Sequence, residues 1–330
     1  MRINFDLRRT GLGNNGGSQT LVKSANMLKE LGHDVCIIDT GRSRYTWDPI
    51  KVDYHVVNRQ NILPKGDVIM ATGYSSVAST ISAPPECGKK YHWIRGWETW
   101  RGDEQWIVKN ILNVPTKKIV NSVGLKSRLR RYDIECEVVY PGYDFDKIYK
   151  IPKLKPHDSI ILGGLYHNKH HEIKRVMWLF QTYEELKKRG HNVQLFLMGY
   201  DDLNSRFKCD FSVRNPTHEE KNAFYNTVDI WLSTSMQEGL HMPPAEAIMG
   251  GSCVVTTTAE LSGTKDYIIN GKTGIVTDNY LDAFINGVEA LCKKPDLRKK
   301  LSENALNRIH EIGDRKKNME RLVSIFEKDI

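Results

Sequence analysis

Short apolar runs alternate along the chain with longer stretches whose apolar residues recur every three or four positions. Arg2–Leu7 predicts a strand. Leu21, Ala25, Leu28 and Leu31 share one face of Ser18–Leu31, which predicts a helix stopped by Gly32. Val35–Asp39, Val68–Thr72, Tyr91–Ile94, Lys118–Asn121 and Cys136–Tyr140 read as further strands. Strands separated by helices predict parallel pairing through right-handed crossovers. Trp93, Trp97, Trp100 and Trp106 crowd one segment and are read as packing.

Asp144–Asp158 breaks this rhythm with prolines and alternating charge, and reads as a linker between domains. The pattern then restarts. Ser159–Leu162 predicts a strand ending in a Gly–Gly turn, Glu172–Arg189 a helix and Val193–Met198 a strand. Thr217–Thr227 opens with a capping box, Thr217 with Glu220, and predicts a helix. Val228–Ser233 and Cys253–Thr257 read as strands, and Pro243–Met249 as a short helix between them. Tyr280–Leu291, Asp296–Glu311 and Arg315–Lys328 read as closing helices. The expected domains are residues 1–150 and 151–314, with 315–330 as a final helix.

Composition narrows the class. The chain has 330 residues, 40% hydrophobic and 27% charged, enough apolar mass for two domain cores. No apolar run is long enough to span a bilayer, and the start lacks the apolar centre of a secretory signal. Six dispersed cysteines without a CxxC pair leave zinc-finger and iron–sulfur readings unsupported, and predict reduced core thiols and a cytoplasmic setting. The net charge of +8 favours an anionic partner without choosing one. No signature of nucleic-acid recognition is present, so nucleic acid is not an expected partner.

Two motifs carry candidate chemistry. Gly11-Leu12-Gly13-Asn14-Asn15-Gly16 matches a dinucleotide fingerprint between a strand and a helix, with Asp39 ending the next strand. Gly11 follows the strand late and Asp39 lies further on than usual, so a glycine-rich loop serving another ligand, or simply a turn, is the preferred reading. The second motif is stronger. Glu238-Gly239-Leu240-His241-Met242-Pro243-Pro244-Ala245-Glu246 joins a strand end to a helix start. Prolines suit the first helical turn, and a helix N-terminus offers amide hydrogens to an anion. Two carboxylates bracketing a phosphate site suit flanking hydroxyls, as in a nucleotide-sugar.

Glu238 and Glu246 are spaced as in the E-x7-E motif of the GT-B retaining glycosyltransferases of family 4, which the chain resembles. The resemblance extends collinearly. It takes in Gly16-Gly17, Leu31–Val35, Val138–Asp144, Ala247–Gly251, Cys253–Thr257 and Gly263–Gly274. It implies an α/β chain of GT-B fold, two Rossmann-like domains facing across a cleft. It also implies a retaining, metal-independent transfer of a sugar from a nucleotide diphosphate, of UDP or GDP type, to an acceptor hydroxyl. No other cofactor is expected. The acceptor could be a glycan, a lipid-linked molecule or a protein.

By the same resemblance, Glu238 would bind donor-sugar hydroxyls and Glu246 the ribose. Amides of Gly239, Leu240, His241 and Met242 would hold the diphosphate, with Gly16 and Gly17 facing it. Lys169 would neutralise the leaving group. An arginine five positions earlier in the family is Gly164 here, and a family glycine is His241, expected to stand in for that arginine as a phosphate contact. Arg95 falls where many relatives carry a histidine and would contact phosphate or acceptor. His92, an alternative for that role, reads as a satisfied core residue. Asp144-Phe145-Asp146 is read as structural, and His167, His170 and His171 as a polar loop rather than a metal site. The basic run Lys126–Arg131 suits a helix that could touch an anionic membrane. Three alternatives stay open: a donor-binding partner subunit with weak catalysis, an NAD(P)-dependent oxidoreductase using Gly11–Gly16, and a nucleotide-sugar epimerase.

Overall fold

A computed structural model describes residues 1–57, 62–98, 102–152, 158–167, 171–204 and 207–330. They form two compact units, one of Met1–Gly142 with Gly313–Ile330 and the other of Tyr143–Ile312.

The first unit begins with β1 (Arg2–Asp6), α1 (Gly16–Glu30), β2 (Asp34–Asp39), β3 (Asp53–Val56), β4 (Val68–Ala71) and α2 (Tyr74–Ile81). It continues with β5 (Lys89–Ile94), α3 (Glu104–Ile107), β6 (Lys117–Val120), α4 (Val123–Arg130) and β7 (Glu137–Val138). The seven strands pair in the order β3-β2-β1-β4-β5-β6-β7, all parallel. Strand order therefore reverses between β1 and β4. In open parallel sheets, ligands bind outside the strand ends at such a reversal.

The second unit comprises β8 (Ile160–Tyr166), α5 (His171–Lys174), α6 (Val176–Lys188), β9 (Val193–Gly199), β10 (Phe211–Arg214), α7 (His218–Thr227) and β11 (Ile230–Leu232). It ends with α8 (Met242–Met249), β12 (Cys253–Thr257), β13 (Ile275–Thr277), α9 (Leu281–Lys293) and α10 (Pro295–Ile312). Its parallel strands run β10-β9-β8-β11-β12-β13, with the reversal between β8 and β11. The last helix, α11 (Arg315–Glu327), returns to the first unit. There Met319, Leu322 and Phe326 join Phe5, Leu21, Val22 and Trp93 in one apolar core.

Several expectations change. The Gly–Gly turn does not form: β8 runs through Gly163 and Gly164 to Tyr166. A Cβ at Gly163 would meet Val228, and one at Gly164 would meet Leu179 Cδ2 at 2.8 Å, so small residues admit close packing within a strand. The single helix expected over Glu172–Arg189 is broken at Arg175, which takes the left-handed conformation at φ 49° before α6. The edge strands β3 and β10 are largely exposed, and at four residues each they are too short for their alternation to stand out from the surrounding loops. The expected linker Asp144–Asp158 falls wholly within the second unit. Tyr143 onward belongs to the second unit, where Tyr149 and Ile151 donate backbone amides to Asn222 and Asn226 of α7. Residues 153–157 of that stretch lie outside the described residues.

All six cysteines are free thiols. No helix among the described residues is long and apolar enough to cross a membrane.

Candidate active site

The loop that follows β11 emerges at the β8/β11 reversal and carries Glu238. Its path is fixed by the backbone. Met236 donates its amide to Ile173 O at 2.8 Å, Glu238 to Leu261 O at 2.7 Å, and His241 to Gly263 O at 2.9 Å. Gly263 has φ 73°, and a Cβ there would lie 2.6 Å from Glu238 Cβ, so this crossing requires glycine. Thr234 Oγ1 also donates to Lys174 O at 2.8 Å. The loop is thus tied on one side to Ile173–Lys174 and on the other to Leu261–Gly263.

These ties bring Lys174 onto Glu238. Its Nζ donates to Glu238 Oε1 at 2.5 Å, and both side chains are largely buried. His241 Nε2 lies 3.5 Å from the same oxygen, and its Nδ1 is 3.2 Å from Ser233 Oγ. Burial pushes the Glu238 pKa up, but the Lys174 ammonium and the neighbouring His241 outweigh it and hold the carboxyl at about 2. Burial lowers His241 to about 4 against the attraction of Glu238, so the ring is neutral at pH 7. His241 is a buried neutral ring between Ser233 and Glu238.

The helix after this loop is α8. Pro243 and Pro244 carry no amide hydrogen, and the His241 amide is already committed to Gly263. The expected cradle of Gly239, Leu240, His241 and Met242 amides is reduced accordingly, because His241 cannot contribute its own. Glu246 lies further along α8. Lys221 Nζ bridges its two oxygens, at 2.9 Å to Oε1 and 2.7 Å to Oε2, and the buried Tyr225 hydroxyl donates to Oε2 at 2.8 Å. Lys221 and Tyr225 project from adjacent turns of α7, whose start is fixed by the capping box of Thr217 and Glu220.

Each carboxylate of the pair therefore holds one lysine that sequence spacing did not reveal. Lys174 is 64 positions from Glu238 and Lys221 is 25 from Glu246. Lys169 and His170 lie outside the described residues, and of His171 only the backbone is described. Gly164 is placed mid-strand, facing Leu179 in the core, so this position does not direct a side chain toward a phosphate. Among the described residues, no three His, Cys, Asp or Glu side chains are grouped to hold a metal ion.

The first unit places its own candidates at the other reversal. Asn15 caps α1, its Oδ1 accepting from the Ser18 amide at 2.9 Å, with Gly16 and Gly17 in the first turn. Arg95 follows β5. Its Nη1 donates to Gly17 O and its Nη2 to Thr72 O at 3.0 Å, and burial lowers its pKa to about 10. Arg95 thus ties the start of α1 to the end of β4. His92 is fully buried in β5 and packs edge-on against Tyr74 at 5.7 Å. Burial, with Lys118 and Arg95, lowers it to about 3. Neither ring nitrogen has a hydrogen-bond partner among the described residues, so it is a core histidine but not a satisfied one.

Asp39, the residue a dinucleotide reading would assign to a ribose, is engaged elsewhere. Its Oδ2 accepts from Ser43 Oγ at 2.6 Å and from Tyr54. Ser43 Oγ in turn accepts from the Leu12 amide at 2.6 Å, and Asn14 exchanges hydrogen bonds with Thr46. The Gly11–Gly16 loop is pinned to residues 43–46, and the oxidoreductase alternative loses its ribose contact.

Residues 161–308 match the family described as "Glycosyl transferases group 1". The capsular polysaccharide biosynthesis glycosyltransferase CapM of Staphylococcus aureus is 26% identical over 162 residues, 46% of this chain and 42% of that protein. The uncharacterized glycosyltransferase MJ1069 of Methanocaldococcus jannaschii is 26% identical over 211 residues, 59% of this chain and 53% of that protein. The chain spans about half the length of these curated relatives. Among solved structures, sucrose-phosphate synthase from Thermosynechococcus elongatus superposes with a TM-score of 0.78 at 14% identity, covering 99% of this chain and 98% of that one. Anabaena Alr3699/HepE in complex with UDP and glucose gives 0.77 at 14% identity, covering 99% and 100%. The fold is GT-B, with two Rossmann-like parallel-sheet domains.

Proposed function

We propose that this chain is a metal-independent, retaining glycosyltransferase that moves a sugar from a nucleoside diphosphate to an acceptor hydroxyl. The observation that carries the reading is the pair Glu238 and Glu246 flanking the start of α8 in the unit that matches the group 1 family. In this reading Glu238, held ionised by Lys174, accepts from hydroxyls of the donor sugar and stabilises positive charge developing at the reacting carbon. Glu246 accepts from the ribose. Met242 and its neighbours offer amides to the diphosphate as it departs, Lys174 on Glu238 is a candidate cation for it, and the family resemblance assigns Lys169 the same role. The UDP named with the Anabaena structure makes UDP the first donor base to test, with GDP the second. The first unit then receives the acceptor. Its basic helix α4, with Arg130 and Arg131 exposed, suits a lipid-linked acceptor at the cytoplasmic face of a membrane.

Thermal shift with UDP, GDP, ADP, NAD and NADP tests this directly. A ligand at about 100 times its Kd adds about 2.7 kcal/mol to the folded state. Stabilisation by one nucleoside diphosphate, weakened in Glu246→Ala, is the expected result. Stabilisation by NAD or NADP alone, unchanged in that variant, would overturn the reading.

A further inference from the structure

Resting on the transfer reading above, we infer that the first unit holds an anion site built from Arg9, Arg42 and Arg44, and that the acceptor it receives carries a phosphate group. The parallel strands β1 and β2 end side by side, and the loops that follow them are locked together. Leu12 donates its amide to Ser43 Oγ at 2.6 Å, and Arg44 donates its own to Leu12 O at 2.8 Å. Ser43 is turned inward, where Oγ donates to Asp39 Oδ2 at 2.6 Å. In an extended segment the neighbours of an inward side chain point the other way, and Arg42 and Arg44 are both exposed. Arg9 stands on the tight turn that closes β1, where Thr10 and Gly11 both donate to Leu7 O, and it is exposed as well.

None of these three guanidiniums is paired with a carboxylate among the described residues. Arg9 and Arg42 have neither an ion pair nor a hydrogen-bond partner there, and Arg44 donates only to Ser43 O at 3.0 Å. Arginines elsewhere on the surface do find acids: Arg2 with Asp34, Arg214 with Asp202 and Arg308 with Glu311. The acids near the trio are engaged. Asp6 accepts from Nε and Nη2 of Arg8, Asp48 accepts from Tyr45 and Gln19, and Glu98 accepts the Tyr74 amide. Asp39 is fully buried and offsets one of the three exposed positive charges. Arg9 also holds φ 75°, a left-handed conformation that asparagine or glycine takes with less strain. Such strain is kept where the residue's own chemistry is used. Guanidiniums match phosphate oxygens with paired N–H donors, and a phosphate monoester brings about −1.5 to −2 charges at pH 7 to meet several of them.

The test is calorimetric binding of inorganic phosphate, glucose 6-phosphate and glucose to the full chain, at constant ionic strength and without donor. Both phosphates should bind, and glucose should bind at least about tenfold more weakly than its phosphate. The double variant Arg42→Ala, Arg44→Ala should lose roughly 10- to 100-fold for both phosphates, the loss expected for hydrogen bonds between charged groups. Its affinity for UDP or GDP should stay within about twofold of the wild type. Arg9→Asn should weaken phosphate about tenfold and raise the melting temperature, because the strained position is relieved. A purely structural Arg9 would do the reverse, lowering the melting temperature with phosphate affinity unchanged. Vesicles of phosphatidylcholine with and without phosphatidic acid separate the sources of the phosphate. Capture by the acidic vesicles alone, lost in the double variant, places it on a lipid. Binding in solution without capture places it on a soluble sugar.

Equal phosphate binding by the wild type and the double variant overturns the anion site and leaves the donor reading in place. A matching loss of UDP or GDP affinity in the double variant assigns the arginines to the donor and overturns the phosphorylated acceptor. Failure of the wild type to bind any nucleoside diphosphate overturns the transfer reading, whatever the phosphate titrations give.

Discussion

In the second unit, single side chains meet across long stretches of sequence. Glu238 is held well below the ordinary carboxylate value of 4.5, at about 2, so its pairing contributes stability in full above about pH 4.5 and loses it as pH falls toward 2. Lys174→Met should therefore show its largest stability deficit near neutrality, with wild type and variant converging between pH 4.5 and 2 in denaturant titrations. His241 acts in the same direction over a higher pH window. Its folded value of about 4 lies below the ordinary 6.5, so the unfolded chain takes up the proton first and stability falls as pH drops from 6.5 to 4. His241→Asn should flatten that fall. At Gly164, a new side chain meets Leu179, so Gly164→Ala should cost about 1–3 kcal/mol in denaturation, and Gly164→Arg should yield insoluble protein rather than faster turnover. The glutamates were legible because their spacing lies within one loop and one helix. Lys174 and Lys221 were not, because nothing local distinguishes a lysine that reaches a buried carboxylate from one in solvent.

At the scale of elements, long amphipathic helices and buried central strands could be read directly. The helix α7 begins where its Thr217–Glu220 capping box predicts, and Cys253–Thr257 is a strand with every residue buried. Legibility failed where tertiary contact overrode local signals. Gly163 and Gly164 look like a turn, but the strand continues because Val228 and Leu179 press on both faces. Arg175 carries no breaker signature, yet it adopts a left-handed conformation with its guanidinium 4.2 Å from the Trp178 ring centroid and bonded to Asn279. The capping box supports α7, and α7 supports Glu246. Thr217→Ala should therefore cost about 1 kcal/mol, and hydrogen exchange should quicken first in residues 218–222.

The whole molecule is organised by a chain that leaves the first unit at Gly142 and re-enters it at Gly313. The two passages touch. Gly142 has φ 73°, and a Cβ there would lie 2.4 Å from Arg315 Cα, while Arg315 Nη1 donates to Pro141 O at 3.0 Å. The two-domain α/β architecture was legible from the restarted pattern of strands and helices. The division at residue 142 rather than 150 was not, because the anchoring of Tyr149 and Ile151 on α7 depends on two asparagines far along the chain. The helix α11 places Met319, Leu322, Val323 and Phe326 in the first core, roughly 6–12 kcal/mol of burial at about 1.5–3 per side chain. That matches the whole stability of an ordinary domain. A chain ending at Ile312 should lose the first unit and keep the second, seen as selective proteolysis of residues 1–142.

This return of α11 reverses the usual order of assembly on the ribosome. Domains made first normally fold first during synthesis. Here every residue of the second unit is made before the helix that completes the first core. A nascent chain must therefore carry an unfinished N-terminal sheet, with its apolar face uncovered, while the younger unit is already closing. Chaperones that shield exposed apolar surface should dwell on residues 1–142 until α11 has cleared the exit tunnel. A nascent chain stalled with Ile312 just outside the tunnel should be recognised by them more strongly than one released in full.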